Sequence, residues 1–220
     1  ADYVVTEAGF GSDMGAEKFM HIKANTSGKA PDCVVMNVTV RSMKLHGKAF
    51  GERGGYRPSK EELETENVQA VIAGATSNLD RHIKNMARFG VPVVVSINQF
   101  MSDTEAELEA IETAARASGA ARVCRTEVHA KGGEGGADLA NAVVEAIHDH
   151  VAAGRPFLPL VAPNDSIEEK VNAIATRMYG ADSVQIEAAA KRQLKKIQDW
   201  GYGSLPVSYT HLRAHETAYY

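Results

Sequence analysis

The sequence predicts an α/β protein with a mostly parallel sheet and helices on both faces. Three features lead to this prediction: apolar runs that are continuous rather than alternating, helical apolar spacing between these runs, and glycine-rich loops where the runs end. Continuous apolar strands are typical of parallel sheets, because helices cover both faces of such a sheet. The order strand, helix, strand, glycine loop, helix also favours parallel pairing. We expect P-loop-NTPase-like or Rossmann-like layers in a fragment of a larger multi-domain chain.

Several apolar segments have the length and composition of buried strands. Residues 91–97 give the clearest signal, because they are mostly β-branched and lie between Gly90 and Asn98. The other predicted strands are residues 3–6, 32–40 and 122–126, with residues 183–186 as a shorter candidate.

Apolar residues at helical spacing predict helices between and after these strands. Residues 66–89 carry this spacing, and Gly74 and Asn78 are expected to divide them into two helices. Capping boxes of the form Ser-x-x-Glu predict two helix starts, at residues 102–105 and 166–169. Further helices are expected at residues 41–47, 138–151 and 187–200, and an exposed loop at residues 48–64.

Composition and charge argue against several classes of function. The net charge is −4, and no run of lysine or arginine is long enough to follow a nucleic-acid backbone. No apolar stretch approaches the length needed to span a bilayer. Cys33 and Cys124 lie far apart in strand-like apolar runs. We therefore expect buried thiols in a reducing cytosol, and neither a disulfide nor a metal site.

Two glycine-rich segments follow predicted strands, where open α/β sheets bind their ligands. In the first, Gly9, Gly11 and Gly15 have the spacing G-x-G-x-x-x-G, one residue longer than a dinucleotide fingerprint. The second is EVHAKGGEGG at residues 127–136, whose glycines would let a ligand or an anion approach the backbone. A surface turn without a ligand explains either segment equally well. The P-loop pattern G-x-x-x-x-G-K-[ST] does not occur in the sequence.

Four stretches of the chain together resemble one protein family. Residues 6–19 resemble its TEAGFGxDxGxEKF segment, and residues 90–107 resemble GVPVVVAIN followed by DTxAE. Residues 130–136 resemble AKGGEGG, and residues 201–207 resemble GYGNLPV. In this order and spacing, the chain is similar to formate–tetrahydrofolate ligase, also called 10-formyltetrahydrofolate synthetase, over almost all of residues 1–207.

The resemblance implies an ATP-dependent ligase that acts on small molecules. In this family ATP phosphorylates formate, and a nitrogen of tetrahydrofolate attacks the formyl phosphate to give 10-formyltetrahydrofolate, ADP and phosphate. The resemblance also implies Mg²⁺ on the nucleotide, a monovalent cation as activator, and a cytoplasmic homotetramer of the full-length protein. Neither nucleic acid nor a membrane is an expected partner.

The resemblance places candidate binding residues in two regions. Phe19 and Met20 match the region that lines the adenine pocket, and Phe100 matches the aromatic residue that stacks on the folate pterin. His129 stands where the family usually has tryptophan, and its smaller, titratable ring offers less stacking area. Lys131 is expected to shape the folate pocket rather than to grip ATP phosphates. The catalytic residues are expected upstream of residue 1, and no metal site is expected in this chain.

The resemblance also bears on how much of the family's sequence this chain contains. The first residue is not methionine, and the family's P-loop is missing from the sequence. We therefore expect a piece of a longer protein that does not catalyse the ligase reaction by itself.

Four parts of the chain are expected. They are residues 1–60 in the nucleotide-binding domain, residues 61–154 as a βαβα folate-pocket domain, residues 155–207 as the start of a C-terminal region, and residues 208–220 as a non-native tail.

Two other functions are compatible with the residues. A Rossmann-type oxidoreductase domain would bind a dinucleotide at Gly9, Gly11 and Gly15, but the third glycine is misplaced for that fingerprint. A non-catalytic α/β binding module is the second alternative. It is close to what a fragment without a P-loop would be in physical terms.

Overall fold

The computed structural model describes residues 1–9, 11–50 and 58–209, which divide into two compact units. The first unit contains residues 1–30 and the described residues from 157 onward. The second unit contains the described residues between 31 and 156.

The second unit contains, in its described residues, a sheet of three parallel strands in the order β1-β2-β3. The strands are β1 Val34–Val38, β2 Val93–Asn98 and β3 Arg122–Thr126. In this register Val35 lies beside Val94, and Ser96 lies beside Cys124. The predicted α/β class with a parallel sheet is therefore confirmed.

The helices contain both ordinary and irregular turns. Among the described residues, three segments have π-helical hydrogen bonding, at Ser12–Ala16, Phe19–Ala24 and Ala75–Leu79, and Gly132–Gly136 is a 3₁₀ helix. The α-helices are α1 Asn25–Ser27, α2 Val40–His46, α3 Lys60–Glu64, α4 Val68–Gly74, α5 Asp80–Ala87, α6 Glu105–Ala117, α7 Val128–Lys131, α8 Ala137–Ala152, α9 Ile167–Arg177 and α10 Ala188–Asp199.

Helices cover both faces of the sheet, as the continuous apolar strands predict. On one face, Val94 is buried against Ala142 and Ala146 of α8, and both cysteines pack beside this cluster. On the other face, α5 and α6 pack against β2. The thiols of Cys33 and Cys124 are free and half-buried, and burial raises the pKa of Cys33 to about 11. Such thiols are protonated at neutral pH and therefore unreactive.

Two glycines allow α2 and α4 to pack closely. A Cβ atom at Gly74 would lie 2.0 Å from the carbonyl oxygen of Met43, and one at Gly47 would lie 1.8 Å from that of Ala70. Neither position tolerates a side chain.

The division predicted at Gly74 and Asn78 takes the form of the π-helical turn Ala75–Leu79, which joins α4 to α5 without interrupting the helical path.

Three local predictions outside the candidate site are wrong. Residues 3–6 form no strand and are exposed, with Val5 at 95% exposure, and residues 183–186 also form no strand. A strand needs a neighbour for its backbone hydrogen bonds, and in the described structure neither segment has one. Lys60–Glu64 is the short helix α3 instead of part of a loop, because Ser59 and Glu62 form a capping box. Residues 51–57 of that predicted loop lie outside the described residues.

The first unit is held together by hydrogen bonds between its two chain segments. The hydroxyl of Tyr179 donates to the carbonyl oxygen of Asp13 at 3.0 Å, and Ser208 donates to the buried carboxylate of Glu17 at 2.6 Å. Tyr209 packs edge-on against Tyr179 with ring centroids 5.3 Å apart. The tail predicted at residues 208–220 therefore begins, at Ser208 and Tyr209, with residues that pack on this unit, and its remainder lies outside the described residues.

Candidate functional site

The candidate site lies where the three strands end. The strands are parallel and in register, with Val38 beside Ile97 and Asn98 beside Thr126, so their carboxyl ends share one edge of the sheet. The segments that follow the strands begin at this edge, which is where ligands of open α/β sheets bind. They are α2, the turn at Phe100, and the segment of residues 127–136, called here the glycine loop.

Phe100 is fixed by a hydrogen-bonded turn just beyond β2. Its N–H donates to Oδ2 of Asp103 at 2.8 Å, and the N–H of Asp103 donates to the Phe100 carbonyl oxygen at 3.0 Å. Because this turn occupies residues 100–103, helix α6 starts later than predicted. Thr104 is its N-cap and shares a capping box with Glu107, so the box predicted at residues 102–105 is wrong by two positions.

Arg41 contacts the face of the Phe100 ring. Its guanidinium carbon lies 4.6 Å from the ring centroid, and its Nη2 lies 3.1 Å from Oε1 of Glu64. Phe100 and Arg41 are both half-buried. Sequence reasoning missed Arg41, although its position three residues beyond β1 is a strand-end position like that of Phe100.

A buried ion pair joins α2, which carries Arg41, to α6, which follows the Phe100 turn. The Lys44 and Glu107 side chains are 1% and 0% exposed, and Lys44 Nζ lies 2.8 Å from Glu107 Oε1. Lys44 also donates to the carbonyl oxygens of Leu63 and Thr65 at 3.0 and 2.9 Å, and Glu107 accepts the N–H of Asn67 at 2.7 Å. The pair thereby connects α2 to α6 and to the segment from the end of α3 to the start of α4. We call Arg41, Lys44, Phe100, Asp103 and Glu107 the Phe100 cluster.

Asp103 is the carboxyl group that accepts the backbone N–H of Phe100. Burial raises the pKa of its carboxyl above the ordinary value, although the hydrogen bond from the Phe100 N–H opposes this shift. The neighbouring carboxylate of Glu107 also raises the pKa of Asp103. The turn that holds Phe100 therefore contains a carboxyl group that is costly to ionise.

The glycine loop is compact, with the one-turn helix α7 followed by the 3₁₀ helix Gly132–Gly136. The N–H of Glu127 donates to the Gly135 carbonyl oxygen at 3.0 Å, and a Cβ at Gly135 would lie 2.5 Å from the Glu127 carbonyl oxygen. Glycine is therefore required at position 135 for this closure. Gly132 has φ of 60°, which also favours glycine.

The two predicted site residues of the glycine loop are exposed. The Lys131 ammonium pairs with the Glu127 carboxylate one helical turn away, and this hydrogen bond raises the pKa of Lys131. His129 lies on α7 between them. Because β2 and β3 are adjacent and in register, the Phe100 turn and the glycine loop begin side by side at the edge of the sheet. At this edge the N–H of Gln99 donates to the Thr126 carbonyl oxygen at 3.0 Å.

Phe19 and Met20, the predicted nucleotide-binding residues, lie in the first unit on the π-helical segment Phe19–Ala24. Met20 is buried, with 2% exposure. The ring of Phe19 is half-buried, and Lys23 Nζ lies 4.8 Å from its centroid.

Within residues 1–9, 11–50 and 58–209, no group of three or more histidine, cysteine, aspartate or glutamate side chains could hold a metal ion. In the same part of the chain, no helix combines the length and apolar character needed to cross a membrane.

Comparisons with known proteins agree on one family. The family model described as formate–tetrahydrofolate ligase matches residues 1–214. The chain is similar to the formate–tetrahydrofolate ligase of Desulforamulus reducens, with 46% identity over 214 residues, and to that of Staphylococcus aureus, with 44% identity over 207 residues. These alignments cover 96% and 94% of this chain, but only 37% and 35% of the two relatives. The chain thus spans little more than a third of the length of these relatives.

Proposed function

Since the chain belongs to the formate–tetrahydrofolate ligase family, we propose that it forms the folate-binding part of an enzyme that joins formate to tetrahydrofolate. The observation that carries this proposal is the aromatic ring of Phe100, held half-buried at the carboxyl edge of a parallel sheet. A flat pterin stacks favourably on such a ring. An oxidoreductase function is disfavoured, because the chain belongs to a ligase family and no strand precedes Gly9 in the described structure.

The proposed reaction proceeds through formyl phosphate. An oxygen of formate takes the γ-phosphoryl group of ATP, which releases ADP and turns that oxygen into part of a leaving group. A nitrogen of tetrahydrofolate then attacks the formyl carbon, phosphate departs, and the nitrogen loses its proton to give 10-formyltetrahydrofolate. When bound, Mg²⁺ would neutralise charge on the ATP phosphates. A monovalent cation activator and a cytoplasmic homotetramer of the full-length protein complete the proposal.

The residues of this chain would bind and orient the folate. Phe100 offers one stacking surface, and the imidazole of His129 offers a second, smaller one from the glycine loop. Lys131, held beside Glu127, would shape the same pocket. In the first unit, Phe19 and Met20 are proposed to line the adenine pocket. Met20 would then act from beneath the surface, since it is buried.

Calorimetric titration with tetrahydrofolate tests the folate-binding role. We expect weak, saturable binding to the wild-type chain and about tenfold weaker binding to Phe100→Leu, because leucine cannot stack on the pterin. Phe157→Leu is the matched control, since Phe157 is also half-buried but lies in the first unit. Equal affinity of Phe100→Leu and the wild type would refute the role of Phe100.

An ADP-release assay tests the catalytic part of the proposal. We expect the 220-residue chain to release no ADP that depends on formate, because the sequence contains no P-loop pattern to hold the ATP phosphates. ADP release that requires both formate and tetrahydrofolate would contradict this expectation.

A further inference from the structure

Arg41 and Phe100 form a stacked pair at the carboxyl edge of the sheet. The guanidinium carbon lies 4.6 Å from the ring centroid, within the range at which a cation is attracted to an aromatic face. A guanidinium is planar and weakly hydrated, so it stacks on a ring better than an ammonium does. One face of Phe100 is therefore taken by a residue of the same chain.

The capping box of α2, the buried ion pair and Glu64 hold Arg41 in this place. Thr39 and Ser42 form the capping box that starts α2, and Lys44 is anchored in the buried ion pair one turn later. Glu64 binds the outer end of the guanidinium at 3.1 Å. In the described structure Arg41 Nε is buried without a hydrogen-bond partner, which costs free energy. The contacts with Phe100 and Glu64 must outweigh that cost.

We propose that Arg41 is a positioning residue for folate: it supports one face of the Phe100 ring, so that the opposite face is presented to the pterin. This inference rests on the proposed function, because it takes Phe100 as the stacking surface for folate. Arg41 acts through Phe100 and does not itself touch the ligand. Its contribution comes from restricting the ring before the ligand arrives, which reduces the ordering cost of binding.

A double-mutant cycle tests this inference by calorimetric titration with tetrahydrofolate. The variants are Arg41→Met, Phe100→Leu and the double variant. We expect Arg41→Met to weaken binding about threefold to tenfold, the range of a partly buried cation–aromatic contact. In the Phe100→Leu background the same substitution should change affinity by less than about twofold, since the ring that Arg41 supports is gone.

Two further variants separate positioning from general damage. Arg125→Met is the matched control, because the Arg125 side chain is 29% exposed against 31% for Arg41 and also pairs with glutamates. It should bind tetrahydrofolate like the wild type. Arg41→Lys keeps the charge but loses the planar group, so its affinity should fall between those of the wild type and Arg41→Met.

The possible outcomes distinguish the inference from the proposed function. If Phe100→Leu weakens binding but Arg41→Met does not, the role of Arg41 is refuted and the folate surface stands. Tighter binding by Arg41→Met would mean that Arg41 obstructs the ligand, and equal losses in both backgrounds would mean that it contacts the ligand directly. Either result overturns the positioning role. If Phe100→Leu binds like the wild type, both proposals fall.

Discussion

The two sides of the candidate folate site differ in how their side chains are held. In the Phe100 cluster, a hydrogen-bonded turn and a stacked guanidinium hold Phe100, and a buried ion pair joins α2 to α6. In the glycine loop, the closure is made by the backbone, and His129 and Lys131 are exposed. A preorganised surface binds at lower entropic cost than one whose side chains must be ordered. We therefore expect the Phe100 side to set the position of a bound folate and the glycine loop to adjust to it.

The largest expected effect comes from breaking the buried ion pair. Lys44→Met should lower the free energy of unfolding by about 3–5 kcal/mol, because it leaves the Glu107 carboxylate buried without its cation. Urea denaturation measures this change. Lys131→Met, which removes the exposed ion pair of the glycine loop, should not change the free energy of unfolding measurably.

A second substitution sharpens this prediction. Adding Glu107→Met to Lys44→Met should restore part of the lost stability, since no buried charge is then left unpaired. If Lys44→Met and Lys131→Met unfold at the same urea concentration, the proposed difference between the two sides is wrong.

The parts of the fold set by local pattern were predictable from the sequence. The β-branched run before Asn98 identified β2, and Phe100 was placed at a strand end by its position alone. The pairing of Lys44 with Glu107 was not predictable, because the two residues lie 63 positions apart and neither stands out as a buried charge in the sequence. The Arg41 contact was missed for the same reason, since it depends on the packing of α2 beside the Phe100 turn.

The wrong local predictions also come from contacts that the sequence pattern does not show, here between residues closer together in the chain. Residues 3–6 are apolar enough for a strand, but a strand forms only when a neighbour accepts and donates its hydrogen bonds. The N-cap of α6 is Thr104 and not Ser102, because the Asp103 carboxylate accepts a hydrogen bond from the Phe100 N–H and this turn occupies the residues before Thr104. A pattern of three or four residues cannot show which of two competing hydrogen bonds forms.

A smaller effect is expected on the glycine-loop side. His129→Trp should tighten tetrahydrofolate binding by at most about 1.5 kcal/mol, because the larger ring adds stacking area. Calorimetric titration measures the difference, and His129→Ala should bind more weakly than the wild type. Unchanged affinity in both variants would mean that His129 does not face the ligand.

The smallest expected effect is a dependence on pH through Asp103. Burial raises the pKa of this carboxyl in the folded chain above the value of about 3.9 in the unfolded chain. Its contribution to stability is thus present below about pH 4 and is lost as pH rises through the folded pKa. Relative to the wild type, Asp103→Asn should therefore become more stable as pH rises from 3 to 6. Urea denaturation across this range checks the slope, and an opposite slope would contradict the burial of this carboxyl.

The most direct test of the account follows the Phe100 ring during ligand binding. The sequence contains six phenylalanines, so a chain labelled with ring-¹³C phenylalanine gives few NMR signals, and the Phe100→Leu spectrum identifies the one from Phe100. We predict that tetrahydrofolate shifts the Phe100 signal saturably and leaves the Phe157 signal unchanged. Saturable binding of tetrahydrofolate without any shift of the Phe100 signal would contradict the claim that this ring is the folate surface.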